Sequence, residues 1–143
     1  MLLVHGTTVE IAGSGVLIRG PSGAGKSDLA LRLIDGGAGL VADDQTELSL
    51  QDGRLIARCP DTIAGLLEVR GVGLVRLAHR NFAPLGMVVD LVPAAEVERL
   101  PAPLMAAYFG VEVPLLRLSA FEASTAAKVR LAMISATRDI MRP

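Results

Sequence analysis

The chain has 143 residues, 51% hydrophobic and 20% charged, with 14 Lys and Arg against 15 Asp and Glu. That length builds one domain, read here as 1–143, with a sizeable core. The absence of a basic excess, with three Phe, one Tyr and no Trp, argues against a nucleic-acid platform. No apolar run approaches the ~20 residues of a membrane-spanning helix, and Met1-Leu2-Leu3-Val4-His5-Gly6 lacks the basic flank of a signal peptide. The lone Cys59 fits a reducing cytosol and a small buried hydrophobe better than a disulfide framework. The high apolar content suits a sheet buried on both faces, or a subunit interface and so a homo-oligomer.

In chain order, Val9–Ala12 is expected to pair with Val16–Ile18 across Gly13-Ser14-Gly15. Residues 15–19 read as a buried strand leading into Gly20-Pro21-Ser22-Gly23-Ala24-Gly25-Lys26-Ser27, the G-x-x-x-x-G-K-S pattern of a phosphate-binding P-loop. Its glycines let successive N–H groups turn inward on phosphate oxygens. Lys26 supplies positive charge for the β- and γ-phosphates, and Ser27 a hydroxyl for Mg²⁺. A helix over 27–34 follows, with Leu29, Ala30, Leu33 and Ile34 on one side, Asp28 and Arg32 one turn apart, and Gly36-Gly37 as its stop. Strand, glycine loop and helix together form the frame that the motif needs.

Leu40-Val41-Ala42 is a short strand ending in Asp43-Asp44, where a carboxylate serves either the metal or a proton. On a regular strand the two would face opposite ways and hold different jobs. Strands over 46–50 and 55–58 flank Asp52-Gly53, a hairpin turn signal, and Pro60 ends the second. Residues 61–65 read as a loop or helical turn. Residues 67–75 read as a strand with Glu68 and Arg70 on one face. Further strands are expected over 87–92 and 111–118, with a proline-rich surface loop over 94–103. A C-terminal helix over 124–141 carries an apolar stripe of Val129, Ala132, Met133, Ala136 and Ile140, with Lys128, Arg130 and Arg138 off it. Ser119 to Glu122 has the spacing of a capping box.

Four features in order, His5-Gly6, the P-loop, Val41-Ala42-Asp43-Asp44 and Leu67-Glu68-Val69-Arg70-Gly71-Val72-Gly73, resemble the catalytic domain of HPr kinase/phosphorylase. The match is good over residues 3–92. The resemblance implies an α/β P-loop domain with a mixed sheet, similar to phosphoenolpyruvate carboxykinase. It implies an ATP- and Mg²⁺-dependent kinase that acts on a serine of the phosphocarrier protein HPr and regulates carbohydrate and phosphotransferase-system metabolism. His5 and Lys26 would lie at the phosphates, Ser27 and Glu68 on Mg²⁺, and Asp44 would be the base, supported by Asp43. Longer members carry an N-terminal domain ahead of this region. Gly37-Ala38-Gly39 replaces the family's Gly-His-Arg, and residues 114–124 show no match to its basic loop with a catalytic arginine. Lys128 and Arg130 read either as solvated charges on the helix face or, for one of them, Lys128 the better placed, as a substitute for that arginine, and phosphorolysis is expected to be weak or absent. The alternatives are a nucleotide-sensing module without transfer and another P-loop small-molecule kinase. No Asn-Lys-x-Asp for guanine is present.

Overall fold

The computed structural model describes residues 1–134. In chain order the elements are β1 (Leu2–His5), β2 (Thr7–Ile11), β3 (Ser14–Arg19), α1 (Lys26–Asp35), β4 (Gly39–Ala42), β5 (Gln45–Gln51) and β6 (Arg54–Arg58). They continue with β7 (Leu66–Val69), β8 (Gly73–Arg76), β9 (Phe82–Leu91), β10 (Leu104–Tyr108), β11 (Val111–Leu118) and α2 (Thr125–Ile134). Ala136, Arg138 and Ile140 lie outside the described residues.

Nine strands form one mixed sheet in the order β1-β5-β6-β9-β3-β2-β4, with the β10–β11 pair attached through β11 to β9. β9 runs parallel to β3 on one edge. Its other edge is shared: residues 82–84 pair with β6, and residues 88–91 pair in parallel with β11. The period-two alternation of β3 divides the core. Val16 and Ile18 join Leu29 and Leu33 of α1 and Val129 of α2 on one face, whereas Leu17 joins Leu48, Leu55 and Val113 on the other. Each fully buried Leu contributes about 1.5–3 kcal/mol of transfer free energy.

The alternation and turn chemistry account for most elements. Asp52-Gly53 makes the expected two-residue turn, both residues at positive φ. The β2–β3 turn is tighter than the sequence suggests. Ala12 and Gly13 form it at positive φ, Ser14 belongs to β3, and the Gly13 N–H donates to Glu10 Oε1 (3.1 Å). The strand expected over 67–75 is instead a β7–β8 hairpin, because Gly71 and Gly73 take positive φ and Val72 N–H closes on Val69 O (3.0 Å). Arg70 therefore sits in the turn and does not share a strand face with Glu68. β9 starts at Phe82 rather than 87, since Pro84 fits its β6-paired end. β1 and β10 are additional strands, β10 joined to β11 by Phe109-Gly110. The capping box does not form: the Ser119 carbonyl accepts from Thr125 Oγ1, and α2 starts at Thr125.

One topological fact positions everything that follows. β2 lies between β3 and β4 and is antiparallel to both, so β3 and β4 end at the same edge of the sheet. The glycine loop leaves β3 there, Asp43 follows β4 there, and Thr7 at the start of β2 stands between them.

Candidate functional site

The loop over 20–25 connects β3 to α1, and Gly25 caps the helix at φ 101. Gly25 is required for a second reason. A Cβ there would come within 2.8 Å of Ala120 Cβ and 2.9 Å of Phe121 Cζ. The entry to the loop is anchored by Arg19. Its guanidinium donates to both oxygens of Asp90 (2.6 and 2.8 Å) and to Tyr108 Oη (2.9 Å). The carboxylate holds the Arg19 pKa above its ordinary value, against the opposing effect of burial. Lys26 is 7% exposed, and its Nζ donates to the carbonyls of Gly20 (2.8 Å) and Pro21 (3.0 Å). The N-terminus of a ten-residue helix and its lysine thus face one concavity, an arrangement that attracts anions.

Asp43 and Asp44 have separate environments, and the cause is local. Gln45 N–H closes on the Asp43 carbonyl (2.7 Å), so Asp44 is the centre of a three-residue turn at φ 67. Asp43 is buried, and three donors engage it. Oδ1 accepts from Thr7 Oγ1 (2.9 Å) and Ser27 Oγ (2.7 Å), and Oδ2 accepts from the Glu68 N–H (3.1 Å). Asp43 therefore fixes β2, α1 and β7 relative to one another. The Asp44 carboxylate is exposed on the cleft and accepts from His5 Nε2 (2.8 Å). A proton acceptor must be reachable by an incoming hydroxyl, and of the two the exposed Asp44 meets that condition while Asp43 is buried and already engaged.

The cleft has a volume of about 350 Å³. Its walls include Gly23, Lys26, Ser27, Asp44, Glu68 and Arg70. His5 is not among its lining residues and reaches it through Asp44. Ser27 and Glu68 offer oxygen donors, the type a hard cation such as Mg²⁺ takes, and Mg²⁺ commonly binds one or two carboxylates and completes its shell with phosphates and water. No group of three or more His, Cys, Asp or Glu side chains converges among the described residues, so the donor set suits that mode rather than an all-protein cage.

The two substitute cations lie elsewhere. Arg130 Nη2 donates to the carbonyls of Arg32 (2.7 Å) and Leu33 (3.4 Å), at the C-terminal end of α1, where a cation complements the helix dipole. Lys128 lines a separate cavity with Leu118 and Leu131. The expectation that either approaches the loop is thus corrected: α2 turns Lys128 to its far side and uses Arg130 as a cap. Thr7 was not foreseen. It donates to Asp43 and accepts from the Asp44 N–H (3.1 Å), and a threonine pair in a fully buried strand start was its only signal. Among the described residues no helix is long and apolar enough to cross a membrane.

The family described as the HPr Serine kinase C-terminal domain matches residues 1–136. Similar curated proteins include the HPr kinase/phosphorylase of Variovorax paradoxus (strain S110), 42% identical over 123 residues that cover 77% of this chain and 39% of that protein. That of Bordetella pertussis is 46% identical over 109 residues, covering 68% of this chain and 35% of the relative. The chain thus spans well under two thirds of the relatives it matches. Its structure is similar to that of the HPr(Ser) kinase/phosphatase from Coxiella burnetii, with a TM-score of 0.85 at 25% identity, covering 94% of this chain and 90% of the other.

Proposed function

The chain belongs to the HPr serine kinase C-terminal domain family, and from that premise we propose that it is an ATP- and Mg²⁺-dependent kinase that phosphorylates a serine of the phosphocarrier protein HPr in the cytoplasm. The kinase class follows the names of its relatives. The observation that carries the finer reading is the division of labour between neighbouring aspartates: one saturated by donors and one exposed on the cleft beside the loop. A nucleotide-sensing module needs no exposed carboxylate there.

In this reading the loop N–H groups and Lys26 would hold the phosphates, and a bound Mg²⁺ would supply charge neutralisation there. Ser27 and Glu68 would hold the metal. Asp44 accepts the proton of the incoming serine hydroxyl, its carboxylate oriented by His5. Asp43 keeps Ser27 and the Glu68 backbone in place. Transfer of the γ-phosphoryl gives phosphoserine and ADP, with the hydroxyl proton on Asp44. Among the described residues, Lys26 and Arg70 are the cations lining the cleft. We therefore assign weak or absent phosphorolysis, because the reverse reaction must also hold free phosphate. The regulation of carbohydrate and phosphotransferase-system metabolism would follow from the phosphorylated carrier.

The test is incubation with γ-labelled ATP, Mg²⁺ and HPr, with the modified residue located by mass spectrometry. Label on a serine of HPr is the expected result. ATP binding without label on HPr would favour the sensing module, and label on a small molecule instead would favour another kinase class.

A further inference from the structure

Phe121 is a large aromatic side chain, 70% exposed, on the wall of the phosphate cleft. Packing alone does not account for it. Its ring touches Gly25 but leaves most of its surface to solvent. The other exposed phenylalanines, Phe82 and Phe109, lie at the start of β9 and in the β10–β11 turn and do not line the cleft. We infer that Phe121 is the platform for the nucleobase of the bound nucleotide. This inference deepens the nucleotide-dependent reading above and rests on it.

The geometry separates two sides of the loop. Ser27 and Asp28 are consecutive residues of α1 and project about 100° apart around its axis. Ser27 donates to Asp43, on the carboxylate side. Asp28 pairs with Arg32 (3.1 Å), and Arg32 donates onward to the carbonyls of Ala120 and Glu122 (3.2 Å for the latter). These two carbonyls flank Phe121. The ring is therefore held by a braced backbone about a quarter turn around α1 from the carboxylate side, on the wall of the same cleft. A nucleotide with its terminal phosphate toward Asp44 extends its other end toward that part of the wall. The exposed π-face there stacks on any base, so the platform gives affinity with little choice among bases.

The experiment compares ADP with inorganic pyrophosphate, both with Mg²⁺, by calorimetry on the full chain. Phe121→Ala is expected to weaken ADP roughly 5- to 100-fold, the range of a lost base–aromatic stack, and to leave pyrophosphate within about twofold. The chain contains no Trp, so Phe121→Trp introduces a single reporter. It should keep ADP affinity, and its emission should be quenched by ADP but not by pyrophosphate. Unchanged ADP affinity in Phe121→Ala would overturn the assignment. Equal losses for both ligands would also do so, by making Phe121 a support of the loop. Wild-type protein that binds neither ligand would reject this assignment together with the nucleotide reading, whereas intact pyrophosphate binding confines a failure to Phe121.

Discussion

Two cavities among the described residues have similar volumes, about 350 Å³ over the glycine loop and about 410 Å³ beside α2, but the first has the more polar wall and the second the more apolar one. The first is walled by loop backbone, Lys26, Ser27, Asp44, Glu68 and Arg70. The second is walled by Met87, Pro101, Leu116, Leu118 and Leu131, and its Arg117 pairs with Glu96 (3.0 Å). Volume does not distinguish them. The loop cavity gathers side chains from β7, α1 and the β4–β5 turn, and hydrogen bonds across those elements fix their positions. The cavity beside α2 is lined mainly by apolar side chains, with Glu96, Glu98, Arg99, Arg117 and Lys128 also on its wall. Phosphoryl chemistry needs preorganised charge rather than enclosed space.

The sharpest way to break this contrast is Lys26→Ala. Losing one preorganised donor lowers transfer ~10²- to 10³-fold, and a rate within a few-fold of wild type would remove the loop from the chemistry. Next, Asp44→Asn keeps shape and loses the proton acceptor. Transfer should fall by ~10²-fold while ADP affinity survives. If Asp43→Asn abolishes transfer in properly folded protein and Asp44→Asn does not, the two roles are reversed. Glu68→Gln should act more mildly, raising the Mg²⁺ concentration for half-maximal activity; an unchanged titration would make Glu68 a solvated hairpin charge. The smallest effect belongs to the other cavity. Lys128→Ala, a substitution outside the loop cleft, should leave transfer within about twofold, the scale of surface changes. A tenfold loss there would erase the distinction between the cavities. Separately, burial pushes the Cys59 thiol up to about 11. Alkylation near pH 8 should therefore run at least ~10²-fold slower in native than in unfolded protein, because the thiolate is the reactive form.

The reasons for what was legible are physical. Gly20–Ser27 and α1 were readable because the pattern fixes Gly20, Gly25, Lys26 and Ser27 at set spacings between a strand and a helix. Asp43 and Asp44 were readable as different, but the cause was not: the sequence suggests strand alternation, and the structure uses a turn at Asp44 with φ 67. The hairpin at Asp52-Gly53 announced itself, whereas Phe109-Gly110 makes a similar turn with a residue that normally avoids positive φ. The capping role of Arg130 was not legible, because helical spacing gives direction around α2 but not which neighbour waits there. Its partners, the carbonyls of Arg32 and Leu33, come from a helix almost a hundred residues earlier, at a separation of 98 and 97.

The contacts that bind α1 to the 120–130 segment also set an order of events at the ribosome. Gly25 and Arg32 meet Ala120, Phe121 and Glu122, so one wall of the cleft is supplied 88 and 90 residues after Arg32 is made. At about 5–20 residues per second, synthesis leaves roughly 5–20 s between the emergence of the loop and that of its wall. During that interval the nascent chain holds its phosphate-binding motif with Gly25 uncovered and the last turn of α1 without its arginine cap. The complete loop cleft is therefore a late product of translation, even though its signature is written near the start of the chain.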